Sequence, residues 1–247
     1  MKPSAQKKII TETKQIYDAV ALDFSDTRGK WWRPPIGLPG LLRDGIRALD
    51  LGCGNGRFAE LFRGKDMEYL GIDNSEELIK ICRARFAGEP NIRFEVGDVT
   101  NLCKDGACPV FTPDLVLMIA VLHHIPTKEL RLRVLKNIHG VLAPGGKLIM
   151  RNWNLFNRKS AKMYYKRLLD FPYKISRGFW GIKDAFIPWK SLGKDGWRYV
   201  HSFTKNEMKS LLRQAGFTDI DNYYETYNNE KRVSIWQGYN LVSEAKK

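Results

Sequence analysis

A short glycine-rich segment after residue 50 has the composition of a ligand-binding loop. It runs Asp50-Leu51-Gly52-Cys53-Gly54-Asn55-Gly56 and follows an apolar run that is typical of a buried strand. Glycine permits a sharp turn and a close approach of the backbone to a ligand. The spacing is G-x-G-x-G, and it lacks the G-x-G-x-x-G spacing that directs a helix terminus at pyrophosphate. We expect this loop to open a helix and, with Asp50 beside it, to suit a cationic ligand better than a phosphate.

Two further acids follow the next two predicted strands. Asp73 ends the segment 68–73, and Asp98 follows the segment 91–96. An acid after the second strand of such a sheet can accept both ribose hydroxyls of a nucleoside. Asp98 can accept from an adenine amino group, and Val99 offers a backbone amide to the ring. Either acid alone could instead cap a helix, but their position after successive strands indicates a nucleoside-containing ligand.

Strands that alternate with helices must position these residues. The pattern predicts a doubly wound α/β fold with a parallel sheet, whose ligands bind at the carboxyl ends of the strands. The predicted strands are 47–51, 68–73, 91–96, 114–119 and 146–150, followed by strand-like segments at 218–224 and 232–242; the predicted helices are 75–86, 127–142 and 205–215.

The positive charge of the chain is concentrated in one region. The formal net charge is +14, and residues 151–215 carry +11 of it. Residues 151–201 also hold 12 of the 29 aromatic residues. Basic side chains interleaved with aromatic rings suit a polyanion whose bases can be stacked. The alternative is a solvated basic surface over an ordinary aromatic core.

Composition excludes several classes of protein. The 247 residues suffice for one large α/β domain, and the longest apolar run is too short to span a membrane. The first residues show no secretory signal. The four cysteines form no C-x-x-C pair, which argues against a metal site, and we expect reduced thiols in a cytoplasmic protein.

These motifs together resemble those of the class I S-adenosylmethionine-dependent methyltransferases over residues 44–152. The segment 142–146 is similar to the turn before the fifth strand of that family. The flanks are similar to the tRNA wobble-uridine methyltransferases, which methylate the carboxylate of 5-carboxymethyluridine at the first anticodon position. The segments that carry this second likeness are 16–21, 24–28 with Trp32, 120–124, 187–190 and 198–203.

The resemblance implies a Rossmann-like sheet of seven strands with a reversed last strand, which 232–242 could supply. It divides the chain into four parts. An N-terminal helical segment and cofactor lid (1–43) precedes the cofactor-binding core (44–152). A basic, aromatic substrate-binding insertion (153–203) then separates the fifth strand from a C-terminal helix and the last two strands (204–247).

The resemblance and the positions of the residues also imply a set of site residues. S-adenosylmethionine is the expected cofactor, and no metal is expected. Its expected contacts are Tyr17, Asp50, Gly52, Gly54, Asp73, Asn74, Asp98, Val99 and Ile119. The expected catalytic residues are Arg28, His124, Trp153, Arg198 and His201. The expected RNA contacts are Lys159, Lys162, Lys166, Arg167, Trp189 and Lys190.

A carboxylate nucleophile is ionised near neutrality, so this chemistry needs no general base. Arginine binds a carboxylate bidentately, and Arg28 could hold either the methionyl or the substrate carboxylate. His124 is expected to donate a hydrogen bond or to orient the substrate, and Trp153 or Trp189 to stack the uracil. The expected partners are tRNA and a small zinc-binding activator protein, as in eukaryotic relatives. Two alternatives stay open: a small-molecule methyltransferase with an apolar lid, and a non-catalytic cofactor-binding adaptor in an RNA-modifying complex.

Overall fold

The computed structural model describes residues 3–28, 33–102, 111–160, 162, 169, 171–176, 181–189, 196–226 and 231–247, without the side chains of Arg28, Phe171 and Tyr173. The helices are α1 (Pro3–Ala19), α2 (Ala21–Arg28), α3 (Glu76–Arg85), α4 (Lys128–Val141), α5 (Phe171–Ser176) and α6 (Lys205–Gln214). The strands are β1 (Arg47–Leu51), β2 (Glu68–Asp73), β3 (Ile92–Val96), β4 (Leu115–Ile119), β5 (Lys147–Trp153), β6 (Asp184–Pro188), β7 (Trp197–His201), β8 (Thr218–Glu225), β9 (Arg232–Val233) and β10 (Asn240–Lys246).

Eight strands form the main sheet, in the order β3-β2-β1-β4-β5-β10-β8-β9. The first five strands in the chain are parallel, and β10 runs antiparallel to both β5 and β8. The predicted α/β fold with a reversed last strand is therefore confirmed. The sheet has eight strands where seven were expected, because the segment 232–242 divides into the two-residue β9, a turn and β10.

Burial on both faces explains the composition of the central strands. All five residues of β4 are buried, as expected for an apolar parallel strand covered by helices on both sides. On one face, α4 packs Val134, Leu135 and Ile138 into the core. Thr127 caps α4 by accepting from the Leu130 amide at 3.3 Å, so the helix begins where its sequence predicts.

The segment after β1 differs from the expectation. Residues Arg57–Leu61 form a short 3₁₀ helix where the glycine-rich loop was expected to open a regular helix. Gly56 and Gly64 flank this segment with φ angles of +69° and +65°. A residue in the left-handed conformation does not fit within a right-handed helix, so a regular helix could extend at most over the seven residues between these two glycines.

The region predicted as an insertion contains α5 and a separate two-stranded antiparallel sheet of β6 and β7. Strand β7 packs against α1, which brings this region close to the N-terminal helices. In the part of the chain that the structure describes, no helix is both long enough and apolar enough to cross a membrane.

Candidate active site

A cleft of about 960 Å³ of empty space opens at the carboxyl ends of the strands, beneath α1 and α2. Eight of the nine expected cofactor contacts line it: Tyr17, Gly52, Gly54, Asp73, Asn74, Asp98, Val99 and Ile119. Three of the five expected catalytic residues, His124, Trp153 and Arg198, line the same cleft.

The glycine-rich loop forms the floor of this cleft. Gly52 and Gly54 have φ angles of +75° and +57°, which side-chain-bearing residues rarely adopt. A Cβ atom at Gly52 would lie 2.2 Å from Cγ2 of Val121. The loop therefore needs glycine both for its backbone conformation and for space, and it leaves bare backbone facing the cleft as a cofactor cradle requires.

The backbone holds the Asp73 carboxylate in a fixed orientation. Its Oδ2 accepts from the Gly54 amide and its Oδ1 from the Ser75 amide, both at 2.9 Å. Burial raises the pKa of Asp73, although these two hydrogen bonds oppose the shift. Because the carboxylate joins the glycine loop to the start of α3, its position follows from the fold and leaves its remaining lone pairs for a ligand.

Asp98 caps a short helix and also lies in the wall of the cleft. Its Oδ1 accepts from the Thr100 amide at 2.8 Å, so it caps the short 3₁₀ helix Val99–Asn101. The same residue and Val99 line the cleft. Capping thus orients Asp98 at the end of β3 and places the amide of Val99 beside it.

Asp50 is placed differently from the expectation that it contacts the cofactor. Its side chain is 1% exposed and is not part of the cleft wall. The Tyr69 hydroxyl donates to its Oδ2 at 2.7 Å, and burial raises its pKa to about 7. Asp50 is thus buried within β1, two residues before the first glycine of the loop, and is bonded to Tyr69 of β2.

His124 is held between two polar groups in the wall of the cleft. Its Nδ1 lies 2.7 Å from the Tyr199 carbonyl oxygen and its Nε2 lies 3.1 Å from the Tyr17 hydroxyl. A carbonyl only accepts, so Nδ1 carries the proton and Nε2 accepts from Tyr17. Burial and the nearby Arg198 charge lower the pKa of His124 to about 3, so the ring is neutral. The preceding His123 is stacked on Trp153 and is not part of the cleft wall.

Arg198 lies against three aromatic rings at the cleft. Its guanidinium carbon is 4.3 Å from the ring centre of Trp189, 5.1 Å from that of Trp153 and 5.9 Å from that of Tyr17. The residue is 5% exposed, and its Nη1 donates a long hydrogen bond of 3.4 Å to the Tyr17 hydroxyl. Among the described residues, no carboxylate lies within 4.0 Å of Arg198. A buried cation in such a setting favours an anionic ligand.

His201 was expected at the reaction centre, and the structure places it elsewhere. Its Nδ1 lies 2.7 Å from Asp184 and its Nε2 lies 2.8 Å from Glu207. Both ring nitrogens are engaged by carboxylates, and the ring is not part of the cleft wall. His201 therefore joins β6 and β7 to α6, which is a structural role.

The expected RNA contacts are only partly brought together. Trp189 is 6% exposed and donates from its indole nitrogen to Asp23 at 3.2 Å, so it is a core residue and not an available stacking surface. Lys159 and Lys162 are exposed, as phosphate contacts would be. Lys166, Arg167 and Lys190 lie outside the described residues, as does the side chain of Arg28 at the end of α2.

Several cleft residues were not predicted from the sequence. They are Ile10, Thr13, Phe24, Arg57, Leu78, Gly97, Thr100, Ala120, Val121 and Ile125. Ala120 has a φ of +62°, an uncommon conformation for alanine that occurs here directly after β4. Arg57 directly follows Gly56, so its closeness to the loop was visible in the sequence. Among the described residues, no three or more His, Cys, Asp or Glu side chains are grouped to hold a metal ion.

Comparison with known proteins identifies the family. The family described as a methyltransferase domain matches residues 48–146. A putative methyltransferase of Encephalitozoon cuniculi is 32% identical over 212 residues, which cover 84% of this chain and 87% of that protein. The chain belongs to the S-adenosylmethionine-dependent methyltransferases. The glycine cradle and the acids at the ends of β2 and β3 are the features of this methyltransferase that fit its cofactor.

Two relatives carry more specific names. The tRNA (carboxymethyluridine(34)-5-O)-methyltransferase of Schizosaccharomyces pombe is 26% identical over 87% of this chain and 92% of that protein. The mouse protein of the same name is 31% identical over 62% of this chain. This methyltransferase spans 22% of the mouse protein, 21% of the macaque protein and 39% of the Xenopus tropicalis protein.

Solved structures share the fold. A methyltransferase structure from Methanosarcina mazei superposes with a TM-score of 0.67 at 21% identity, over 87% of this chain and 99% of that one. A Haloferax volcanii putative methyltransferase, solved as a complex with the Trm112 methyltransferase activator, gives a TM-score of 0.60 at 16% identity, over 93% of this chain and 96% of that one. Both likenesses support the described architecture.

Proposed function

We propose that this methyltransferase transfers a methyl group from S-adenosylmethionine to the carboxylate of 5-carboxymethyluridine at the wobble position of tRNA. The observation that carries the proposal is the buried Arg198 guanidinium in the cleft wall. Its planar fork matches the geometry of a carboxylate, which it can bind bidentately. The names of the S. pombe and mouse relatives favour a tRNA carboxylate over the carboxylate of a metabolite.

The residues that would hold the cofactor are those of the cradle. Gly52 and Gly54 provide close backbone approach, Asp73 offers acceptors to the ribose hydroxyls, and Asp98 with Val99 offers an acceptor and an amide to the adenine. When bound, the cofactor supplies an electrophilic methyl group on a sulfonium. The adaptor hypothesis predicts that cofactor-binding residues are missing. The glycines and acids expected in this wall, Gly52, Gly54, Asp73 and Asp98, are all present, which argues against it.

The protein's own work is to position the substrate carboxylate. Alignment of two reactants can contribute about 7–11 kcal/mol to a displacement of this kind. Arg198 would hold the carboxylate, and the rings of Trp153 and Tyr17 beside it would exclude water. The nucleophile carries no proton, and the neutral His124, with Nε2 accepting from Tyr17, orients the wall without acting as a base.

The test is methylation of an anticodon stem-loop RNA that carries 5-carboxymethyluridine, followed by mass spectrometry of its nucleosides. We expect a methyl ester with the wild-type protein and at least a hundredfold lower kcat/KM with Arg198→Met, since each charge-assisted hydrogen bond contributes about 1.5–3 kcal/mol. Arg198→Lys keeps the charge but not the fork, so it should restore only part of the activity. A neutral 5-carbamoylmethyluridine stem-loop is the matched control and should not react. Methylation of that amide, or no methyl ester with an activator protein supplied, would contradict the proposal.

We also propose that an activator protein binds this methyltransferase. Support comes from the fold shared with the Haloferax volcanii methyltransferase that was solved with its activator. Three statements remain predictions from the sequence: the activator binds zinc, the four parts of the chain have separate functions, and the protein is cytoplasmic. Co-purification of the activator with this chain would test the partnership.

A further inference from the structure

A tryptophan stands out on the surface near the cleft. Trp236 is 58% exposed, the most exposed large aromatic side chain among the described residues. It occupies the turn between β9 and β10, which is closed by hydrogen bonds from the Gln237 and Gly238 amides to the Ser234 carbonyl at 3.1 and 2.9 Å. An exposed indole offers a flat apolar face, with a polar N–H at its edge, on which another ring can stack.

The turn that carries Trp236 is fastened to the cleft wall. The side-chain amide of Asn154 donates to the carbonyls of Ile235 and Gly238 at 2.7 and 2.8 Å. Asn154 is 1% exposed and directly follows Trp153, which lines the cleft. The indole is therefore presented from a fixed backbone that begins one residue from the proposed reaction centre.

Two basic residues lie next to the turn that carries this tryptophan. The Arg158 amide donates to the Trp236 carbonyl at 2.9 Å, so the two residues are neighbours. Lys159 follows, and its Nζ lies 5.8 Å from the ring centre of Tyr239. Arg158, Lys159 and Trp236 are all exposed. Within the described ranges, no carboxylate lies within 4.0 Å of Arg158. We call Arg158, Lys159, Trp236 and Tyr239 the Trp236 platform.

We propose that the Trp236 platform stacks an unpaired base of the RNA substrate next to the methylated nucleotide, with Arg158 and Lys159 on its phosphates. This inference rests on the proposed function, because it assumes an RNA whose target base enters the cleft. An exposed indole accepts any base by stacking, and adjacent cations bind the backbone between stacked bases. Because Arg158 and Lys159 are positively charged, a polyanion fits this surface better than an apolar protein surface would.

The experiment compares binding of the 5-carboxymethyluridine stem-loop to the full chain and its variants by fluorescence anisotropy. We expect Trp236→Ala to weaken binding at least fivefold, as the loss of one base stack does. Trp236→Phe keeps an aromatic face and should stay close to wild type. Leu22→Ala removes another exposed apolar side chain, 74% exposed on α2, and should have no effect. An RNA duplex without unpaired bases should bind the wild type and Trp236→Ala equally.

Each outcome decides between the two proposals. If Trp236→Ala weakens stem-loop binding but the wild type forms no methyl ester, the platform stands and the proposed function fails. If the methyl ester forms and Trp236→Ala binds the stem-loop like the wild type, the platform is wrong and the function stands. The platform is also wrong if Trp236→Ala weakens binding of the duplex as much as binding of the stem-loop, or if the variant affects only binding of the activator protein.

A second measurement covers the case in which Trp236→Ala fails to fold. Stacking quenches indole emission, so the stem-loop should quench the wild type more than Trp236→Phe, and equal quenching would contradict the proposal. Replacing Arg158 and Lys159 by Gln should reduce the slope of log affinity against log salt by about 0.7 for each phosphate that is no longer neutralised. An unchanged slope would remove these two cations from the RNA surface.

Discussion

The Tyr17 hydroxyl on α1 and the Nε2 of His124, in the short 3₁₀ helix Leu122–His124 after β4, lie 3.1 Å apart in the wall of the cleft. Residues 107 positions apart in the chain thus share one hydrogen bond. The bond fixes both partners, because the opposite ring nitrogen of His124 donates to the Tyr199 carbonyl at 2.7 Å. The N-terminal helix is thereby tied to β7 through a histidine that cannot rotate.

The first prediction concerns this histidine. His124→Asn places an amide NH₂ near the position of Nδ1, so it can still donate to the Tyr199 carbonyl. His124→Ala leaves that buried carbonyl unsatisfied, at a cost of about 1–3 kcal/mol. We therefore expect His124→Asn to retain at least several times the single-turnover rate of His124→Ala. Equal rates for the two variants would show that the donor is not needed.

The second prediction is a flat pH profile. Burial and Arg198 lower the pKa of His124 to about 3, so its protonation does not change between pH 5.5 and 9. The substrate carboxyl group, with an ordinary pKa of about 4, is already ionised over this range. Single-turnover rates on the carboxymethyluridine stem-loop should therefore stay level. A tenfold rise per pH unit through neutrality would require a general base and a neutral nucleophile, and the proposed substrate would then be wrong.

The third prediction distinguishes two reasons why the loop needs glycine at position 52: the lack of space for a Cβ atom, and the left-handed backbone conformation. Gly52→Ala should abolish cofactor binding, because the new Cβ would lie 2.2 Å from Val121 Cγ2 in a backbone with φ of +75°. Gly45→Ala is the matched control, since Gly45 has a φ of +76° and no atom within 4 Å of its built Cβ. It should cost about 1–2 kcal/mol of stability and leave calorimetric binding of the cofactor intact. Adding Val121→Ala to Gly52→Ala should restore part of the binding.

The fourth prediction tests the cofactor contact of Asp73. Asp73→Ala should weaken S-adenosylmethionine binding at least tenfold, because charge-assisted hydrogen bonds contribute about 1.5–3 kcal/mol each. Asp73→Asn keeps the shape of the side chain and one oxygen acceptor, so its affinity for S-adenosylmethionine should lie between that of the wild type and that of Asp73→Ala. Calorimetric affinities that do not differ from the wild type would exclude Asp73 from the cofactor site.

The fifth prediction concerns stability and pH. Burial opposes ionisation of Glu207, but His201 and Lys183 outweigh it and lower its pKa from 4.5 to about 2. A carboxyl group whose pKa is lowered by folding stabilises the fold when the pH is above its ordinary pKa of about 4.5. This contribution is lost as the pH falls from about 4.5 towards 2. Glu207→Gln should therefore cost about 1–2 kcal/mol at pH 7, allowing for its partial exposure, and little near pH 2.5. Urea unfolding at both pH values measures this, with the exposed Asp66→Asn as control; an equal loss at both would exclude the ionic origin.

The parts of the site that the sequence predicted share a local cause. Asp73 ends a strand, and Gly52 and Asp98 come directly after strands; the carboxyl ends of parallel strands meet at one edge of the sheet regardless of how the side chains pack. Their placement could therefore be inferred without knowing the packing. Asp50 shows the limit of that logic, because it lies before the end of its strand and is buried against Tyr69.

The residues whose surroundings the sequence did not reveal depend on contacts between distant segments. His201 and Trp189 both lie in the basic, aromatic region, where type and charge suggested substrate contacts. Their roles follow instead from partners that no spacing reveals, Glu207 on α6 for the first and Asp23 on α2 for the second. Ile10 and Thr13 of α1 were missed for the same reason, since only the packing of α1 over the sheet brings them to the cleft.

The position of β10 has a consequence for the order in which the sheet can assemble. In the described sheet β8 pairs with β10 and β9 alone, so it has no route to the parallel strands until β10 is in place. Arg151 of β5 and Glu225 of β8 form an ion pair across β10, and their side chains are 1% and 0% exposed. The two charges can therefore meet only when β5, β10 and β8 are assembled together, so a change that displaced β10 would leave two buried charges separated from each other.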